Sequence, residues 1–199
     1  YRDLNIKKDT SILMIEEAIS LGFNTFQCEI NDLYVDEGIV YATSREILSA
    51  GSTQVEGISK QQIRLSDFKF SFMRKDPPVN ENYMNALHLL GLAEKQGAVV
   101  FNKPTAIKEF NEKIFALHFK EFIPKTLVTS DINKIENFFE LHKTIIIKPI
   151  DGMGGASIYK IDELNEENKD LLMKMTNSQR THIICQEFIE DIYDGDFRI

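Results

Sequence analysis

Cysteine is nearly absent from this chain of 199 residues: Cys28 and Cys185 stand far apart, each inside a strand-like run. Two such thiols exclude a disulfide-stapled scaffold and read as buried free side chains. Long apolar runs are missing too. None approaches the ~18 residues that a spanning helix needs, and no signal-peptide pattern opens the sequence, so a cytoplasmic protein without a membrane partner is expected. Positive charge is in deficit, 23 Lys and Arg against 31 Asp and Glu, for a net charge of −8. That balance excludes nucleic acid as a general partner and makes any anion site a local lysine cluster in an acidic protein. Internal repeats, low-complexity tracts and an obvious linker are absent as well. The chain opens on Tyr1 and stops in "DGDFRI", where a strand begins, so a fragment of a longer protein is expected.

What is present is a packed-core composition, 43% apolar, at a length that allows one large domain or two small ones. Polar starters Asp9, Thr10 and Ser11, an apolar face at Ile12, Ile15 and Ile19, and a stop at Gly22 predict a first helix. "TFQCEI" (25–30) alternates as a strand, and "LYVDEGIVYA" (33–42) predicts a hairpin turning at Asp36–Gly38. Residues 43–66 are polar and show no regular period. "FKFSFM" (68–73) alternates before Pro77–Pro78, 80–96 predicts a helix closed by Gly97, and "AVVF" (98–101) a short buried strand. This order implies an α/β fold with a largely parallel sheet, its first strand upstream of Tyr1. A second unit then opens, with a boundary near 105–112. "TAIKEFNEKIFALHF" (105–119) places Ile107, Phe110, Ile114 and Leu117 on one helical face. Strands near 126–128, 144–148, 156–161 and 182–188, and helices at 130–142 and 163–175, complete it.

The stretch that carries chemistry is "IIIKPIDGMGGASIY" (145–159): an apolar strand delivers Lys148, and Gly152, Gly154 and Gly155 follow. Bare backbone N–H groups can curl around phosphate oxygens as a nest. Glycines that merely satisfy φ > 0 in a hairpin are an equally good reading of the loop alone. A P-loop is excluded, since no lysine follows the glycines. A dinucleotide fingerprint is excluded, since "ASIYKI" reads as strand where a helix is required. The remaining geometry is a strand–loop–strand flap over a phosphate, with Lys148 beneath it and a second cation from another element. Lys113 in "NEK" is the candidate, although a helical lysine is ordinarily a solvated surface group.

"MRKDPP" (73–78), "NKP" (102–104), "NEK" (111–113), "KPIDGMGGASI" (148–158), "CQEFI" (185–189) and "DGDFRI" (194–199), in this order and spacing, closely resemble bacterial glutathione synthetase, a member of the ATP-grasp superfamily. The likeness runs from residue 5 to the last residue. It implies an N-terminal parallel-sheet pre-ATP-grasp domain over 1–110 and an incomplete α+β ATP-grasp domain over 111–199. It also implies a ligase that joins γ-glutamylcysteine to glycine. ATP phosphorylates the cysteinyl carboxylate, and the glycine amine attacks the acyl phosphate. Such an intermediate needs a lid that excludes water, and its formation needs positive charge around the phosphates.

Carried over residue by residue, the resemblance implies that Lys113 and Lys148 contact the ATP phosphates, with Lys148 and Arg198 as the catalytic cations. It implies a flap over the γ-phosphate formed by Gly152, Met153, Gly154, Gly155, Ala156 and Ser157, mobile without nucleotide. Gln186, Glu187, Phe188 and Ile189 correspond to the segment whose backbone meets the adenine edge, and Asp196 to a ribose or metal-proximal acid. Ser11, at a helix start, and Arg74, at a strand end, are substrate candidates. Mg²⁺, with Mn²⁺ as its substitute, is the implied metal, its ligands expected beyond Ile199, and a homo-oligomer is the implied assembly. Two other readings remain open: another ATP-grasp carboxylate–amine ligase, which "MRKDPP" weighs against, and a non-catalytic nucleotide-binding module.

Overall fold

A computed structural model describes residues 8–50, 55–75, 78–152, 157–195 and 197. The chain divides into two compact units, Tyr1–Glu109 and Phe110–Ile199.

In the first unit, helix α1 (Thr10–Ser20) is capped by Asp9, whose side chain accepts from the Ser11 N–H at 2.8 Å. Strands β1 (Thr25–Gln27), β2 (Leu33–Asp36), β3 (Ile39–Ala50) and β4 (Val55–Arg64) form one antiparallel sheet in which β1, β2 and β4 all pair with β3. The β2–β3 connection is the expected hairpin: Glu37 and Gly38 both have positive φ, +46° and +82°, as a two-residue type I′ turn requires. Helix α2 (Glu81–Lys95) follows its Asn80 cap and lays Tyr83, Leu87, Leu90 and Ala93 against Val40, Ala42 and Val100. Strands β5 (Ser71–Phe72) and β6 (Val100–Phe101) pair in parallel, and α3 (Pro104–Glu109) closes the unit.

Three expectations are corrected here. Parallel pairing is confined, among the described residues, to β5 and β6, and the larger sheet is antiparallel. Two-residue turns can only return a strand antiparallel to itself, whereas parallel neighbours need a crossover. Residues 43–66, without a regular period in sequence, are mostly strand. Val40, Ala42 and Ser44 alternate inward, then register shifts between Arg45 and Ile47 bring the odd-numbered Ile47 into the core; the bulge erases the period. The alternating phenylalanines yield only a two-residue strand, with Phe68 packed edge-on against Phe26 at 5.4 Å.

In the second unit the predicted single helix over 105–119 is broken. Asn111 caps a new helix, α4 (Glu112–Phe115), by accepting from the N–H groups of Lys113 and Ile114, both at 3.1 Å; a short polar side chain competes there with helix continuation. A 3₁₀ turn follows at Ala116–Phe119. Strands β7 (Thr126–Thr129), β8 (Ile145–Pro149), β9 (Tyr159–Ile161) and β10 (Ile183–Glu187) form an antiparallel sheet in the order β7-β10-β8-β9. Helices α5 (Ile132–His142) and α6 (Glu166–Met175) cover one face. Ile135, Phe139 and Leu172 meet Ile145, Ile147, Ile161, Ile183 and Cys185 there. Both thiols are free, as expected, Cys185 buried and Cys28 half-buried. Burial pushes them up to about 12 and about 11, so neither is a reactive thiolate.

Candidate functional site

Strand alternation turns every second residue of β8 away from the helices. Ile145 and Ile147 are fully buried among α5 and α6, so Ile146 and Lys148 take the other face. Directly paired residues share a face, which carries the row Thr126–Gln186–Ile146–Lys160 across all four strands and sets Ile184 beside Lys148. Ile184 is nevertheless only 2% exposed, so this face is covered at that position. Around the half-buried Ile146 it is a platform edged by two lysines and a carboxamide.

At one end of the platform two cations converge. The Lys113 ammonium donates to the Pro149 carbonyl at 2.8 Å and to the Gly152 carbonyl, so it grips the chain immediately after Lys148 and at the start of the glycine loop. Asn111 sets that reach by fixing the first turn of α4. Lys148 has no hydrogen bond or ion pair among the described residues. Burial pushes its pKa below the ordinary lysine value, the Lys113 charge pushes the same way, and Glu112 opposes them. An ammonium held in this state gains from any anion that arrives.

The segment after β10 is anchored rather than loose. The Glu187 N–H donates to the Lys125 carbonyl at 3.0 Å, and its carboxylate accepts from the Lys125 N–H at 2.8 Å and faces His142 Nδ1 at 3.5 Å. The Phe188 N–H donates to the Thr144 carbonyl at 3.2 Å. The Ile189 N–H has no partner among the described residues. Gln186 donates from Nε2 to Thr126 Oγ1 at 2.8 Å, which fixes its amide on the face opposite the helices. Thr126, Lys125 and His142, which fix this segment, carry no motif of their own; only strand register and helix position bring them there.

In the first unit Arg74 Nε donates to Ser11 Oγ at 3.4 Å, joining two candidates 63 positions apart at the start of α1. Gly152 and Ser157 flank the glycine loop, Ser157 with a positive φ of +60°. Met153, Gly154, Gly155, Ala156, Asp196 and Arg198, and with them most of the expected lid over 151–157, lie outside the described residues. Among the described residues no three His, Cys, Asp or Glu side chains gather as metal ligands, and no helix is long and apolar enough to cross a membrane. Two concavities, of about 550 Å³ between β9 and α6 and about 440 Å³ around Leu117 and Pro124, include neither Lys113 nor Lys148. The converging charge, not the hollow, marks the candidate site.

A four-stranded antiparallel sheet with helices on one face and two lysines at the mouth of a glycine loop defines an incomplete ATP-grasp fold. Residues 112–199 match the family description "Prokaryotic glutathione synthetase, ATP-grasp domain". The fold is similar to that of D-alanyl-alanine synthetase A from Vibrio cholerae O1 biovar eltor (TM-score 0.53, 13% identity, 90% of this chain and 54% of that one). It is also similar to that of D-cycloserine synthetase DcsG (TM-score 0.52, 13% identity, 65% of this chain and 47% of that one). Residues 1–108 match "Prokaryotic glutathione synthetase, N-terminal domain", and the chain belongs to the prokaryotic glutathione synthetase family. Curated relatives include the glutathione synthetases of Vibrio parahaemolyticus, 40% identical over 98% of this chain and 63% of its own length, and of Vibrio cholerae, 38% identical over 98% and 62%. That of Buchnera aphidicola subsp. Baizongia pistaciae is 37% identical over 98% and 61%. The chain thus spans about three fifths of the length of these relatives.

Proposed function

We propose that the complete protein is an ATP-dependent ligase that joins γ-glutamylcysteine to glycine. The convergence of Lys113 and Lys148 at the mouth of the glycine loop carries this reading. Phosphoryl transfer from ATP to the cysteinyl carboxylate places developing negative charge where Lys148 stands, unpaired among the described residues and partly desolvated. Lys113 orders the loop entrance through the Pro149 and Gly152 carbonyls and keeps a third N–H for a phosphate oxygen. The loop from Gly152 to Ser157 closes over the phosphate, and Arg198 faces the reacting groups. The glycine amine then attacks the acyl phosphate and phosphate leaves. The platform receives the adenine ring beside Ile146, with its edge toward Gln186, Glu187, Phe188 and Ile189; Asp196 serves the ribose or the metal. Ser11 and Arg74 serve the peptide substrate.

In this reading ATP brings Mg²⁺, or Mn²⁺ in its place. The described residues offer no ligand set for the metal; what they supply is cationic charge and N–H donors. The setting proposed is cytoplasmic and the assembly a homo-oligomer. The low identity to D-alanyl-alanine synthetase supports the fold alone, so a different carboxylate–amine pair is the alternative that experiment must exclude. The test supplies the complete protein with ATP, Mg²⁺, γ-glutamylcysteine and glycine, and follows ADP and glutathione together. ADP release that depends on both substrates, with matching glutathione, is expected. ADP release supported equally by D-alanine alone would overturn the substrate assignment, and nucleotide binding without any turnover would favour a binding module.

A further inference from the structure

The strand that leaves the glycine loop is tied to the adenine segment by a cation over a ring. Lys160, the middle residue of β9, holds its ammonium 4.2 Å from the centroid of the Phe188 ring and 5.9 Å from that of Tyr193. The two rings meet edge to face at 5.8 Å. We propose that Lys160 is a positioning residue of the nucleotide site: it pins Phe188, and through it the backbone of the adenine segment, to the outgoing strand of the flap.

Three observations support the assignment. Lys160, exposed, lies on the face opposite the helices in one cross-strand row with Ile146 and Gln186, so its side chain stands at the platform's edge rather than in the core. Every other hold on the segment comes from elsewhere. Glu187 is fixed from Lys125, and the Phe188 N–H from Thr144. The Phe188 ring itself is met by the Lys160 ammonium and edge-on by the Tyr193 ring. Finally, β9 is three residues long and pairs, among the described residues, only with β8, so a contact from β9 to the segment after β10 joins two elements that the ladder leaves apart. A cation over an aromatic face stabilises such a junction modestly and without a fixed hydrogen-bond direction, which lets the flap strand shift while the ring stays held.

The proposal rests on the nucleotide reading above, and the experiment separates the two. The binding of adenosine, ADP and ATP to the complete protein is measured for the parent and for Lys160→Met, Lys160→Arg and Phe188→Leu, together with KM for ATP and kcat. A positioning role predicts that Lys160→Met weakens all three ligands by the same factor, about two- to fivefold. KM should rise with kcat unchanged, because a misplaced base lowers ground-state and transition-state binding alike. Lys160→Arg should retain the parent values, and the double variant Lys160→Met/Phe188→Leu should be no weaker than the weaker single one. A loss confined to ADP and ATP would make Lys160 a phosphate contact and overturn the proposal, as would unchanged binding in Lys160→Met. A parent that binds none of the three ligands would instead overturn the nucleotide reading itself.

Discussion

Two lysines, one in each unit, show how the same side chain can be structural or poised. Lys60 on β4 sets its ammonium 2.6 Å from the Asp32 carboxylate. Burial raises the Asp32 pKa, but the Lys60 hydrogen bond, the Glu29 N–H and nearby Arg45 outweigh it and hold the carboxyl below its ordinary value. This charge is matched by its neighbours. Lys148 on β8 is the reverse: partly buried, beside a second cation, and unpaired among the described residues. A folded chain tolerates such an arrangement where a ligand relieves it, so mismatch marks a binding position and match marks a structural one.

The most severe way to test that contrast is within one strand. Ile147 is fully buried and Lys148, its neighbour, is turned to the opposite face. Ile147→Ala should cost about 2–5 kcal/mol of stability, read as an earlier denaturant midpoint. Lys148→Ala should leave that midpoint nearly unchanged while weakening ATP binding by roughly 1.5–3 kcal/mol in titration calorimetry. If the lysine variant unfolds early and its folded fraction binds ATP normally, the distinction collapses.

Acting on the pH axis sharpens it. The folded-state pKa of Lys148 lies below the ordinary 10.5, so the charged amine costs stability below that lowered value. The cost is relieved as pH rises through the lowered value toward 10.5. ATP should favour the protonated form, so binding at alkaline pH should take up protons, seen as a buffer-dependent heat, and weaken earlier than an ordinary lysine would dictate. Loss of that proton uptake in Lys148→Met assigns it to this residue.

A smaller effect is expected at Asn111, which caps the helix that carries Lys113. Asn111→Ala should cost about 1 kcal/mol locally and raise KM for ATP, because Lys113 loses its fixed reach to the Pro149 carbonyl; Asn111→Asp should restore both. The smallest effect belongs to the matched lysine. Lys60→Ala should cost only about 0.2–1 kcal/mol without changing ATP affinity. Asp32 has a depressed pKa, so its contribution is full above the ordinary 3.8 and is lost as pH falls through the lower folded value. The Lys60→Ala difference should therefore vanish in strong acid.

Local chemistry made much of the chain legible without coordinates. Asp9 and Asn80 as caps, the Glu37–Gly38 turn, and the strands around Lys148 and Cys185 follow from side-chain hydrogen bonding, φ preference and period, which act within a few residues. The glycine loop after a strand-borne lysine was legible for the same reason. What the period could not carry was the bulged β3, where one register shift between Arg45 and Ile47 moves the inward set from even to odd positions. Nor could it show the helix break at Asn111, where a cap outweighs an otherwise continuous apolar face.

By itself the sequence determined most of the helices, the strands around the glycine loop, the place of the loop, and the charge deficit that obliges any anion site to be local. Only the tertiary structure decided which face of β8 the helices would take, and therefore that Lys148 is left unmatched among the described residues. It also brought the Lys113 ammonium 36 positions along the chain to the Pro149 carbonyl, and Gln186 60 positions to Thr126. Helix caps and turns are settled by neighbours in sequence. The meeting of remote side chains is settled by strand register, which depends on how two buried faces fit and not on any single stretch of residues.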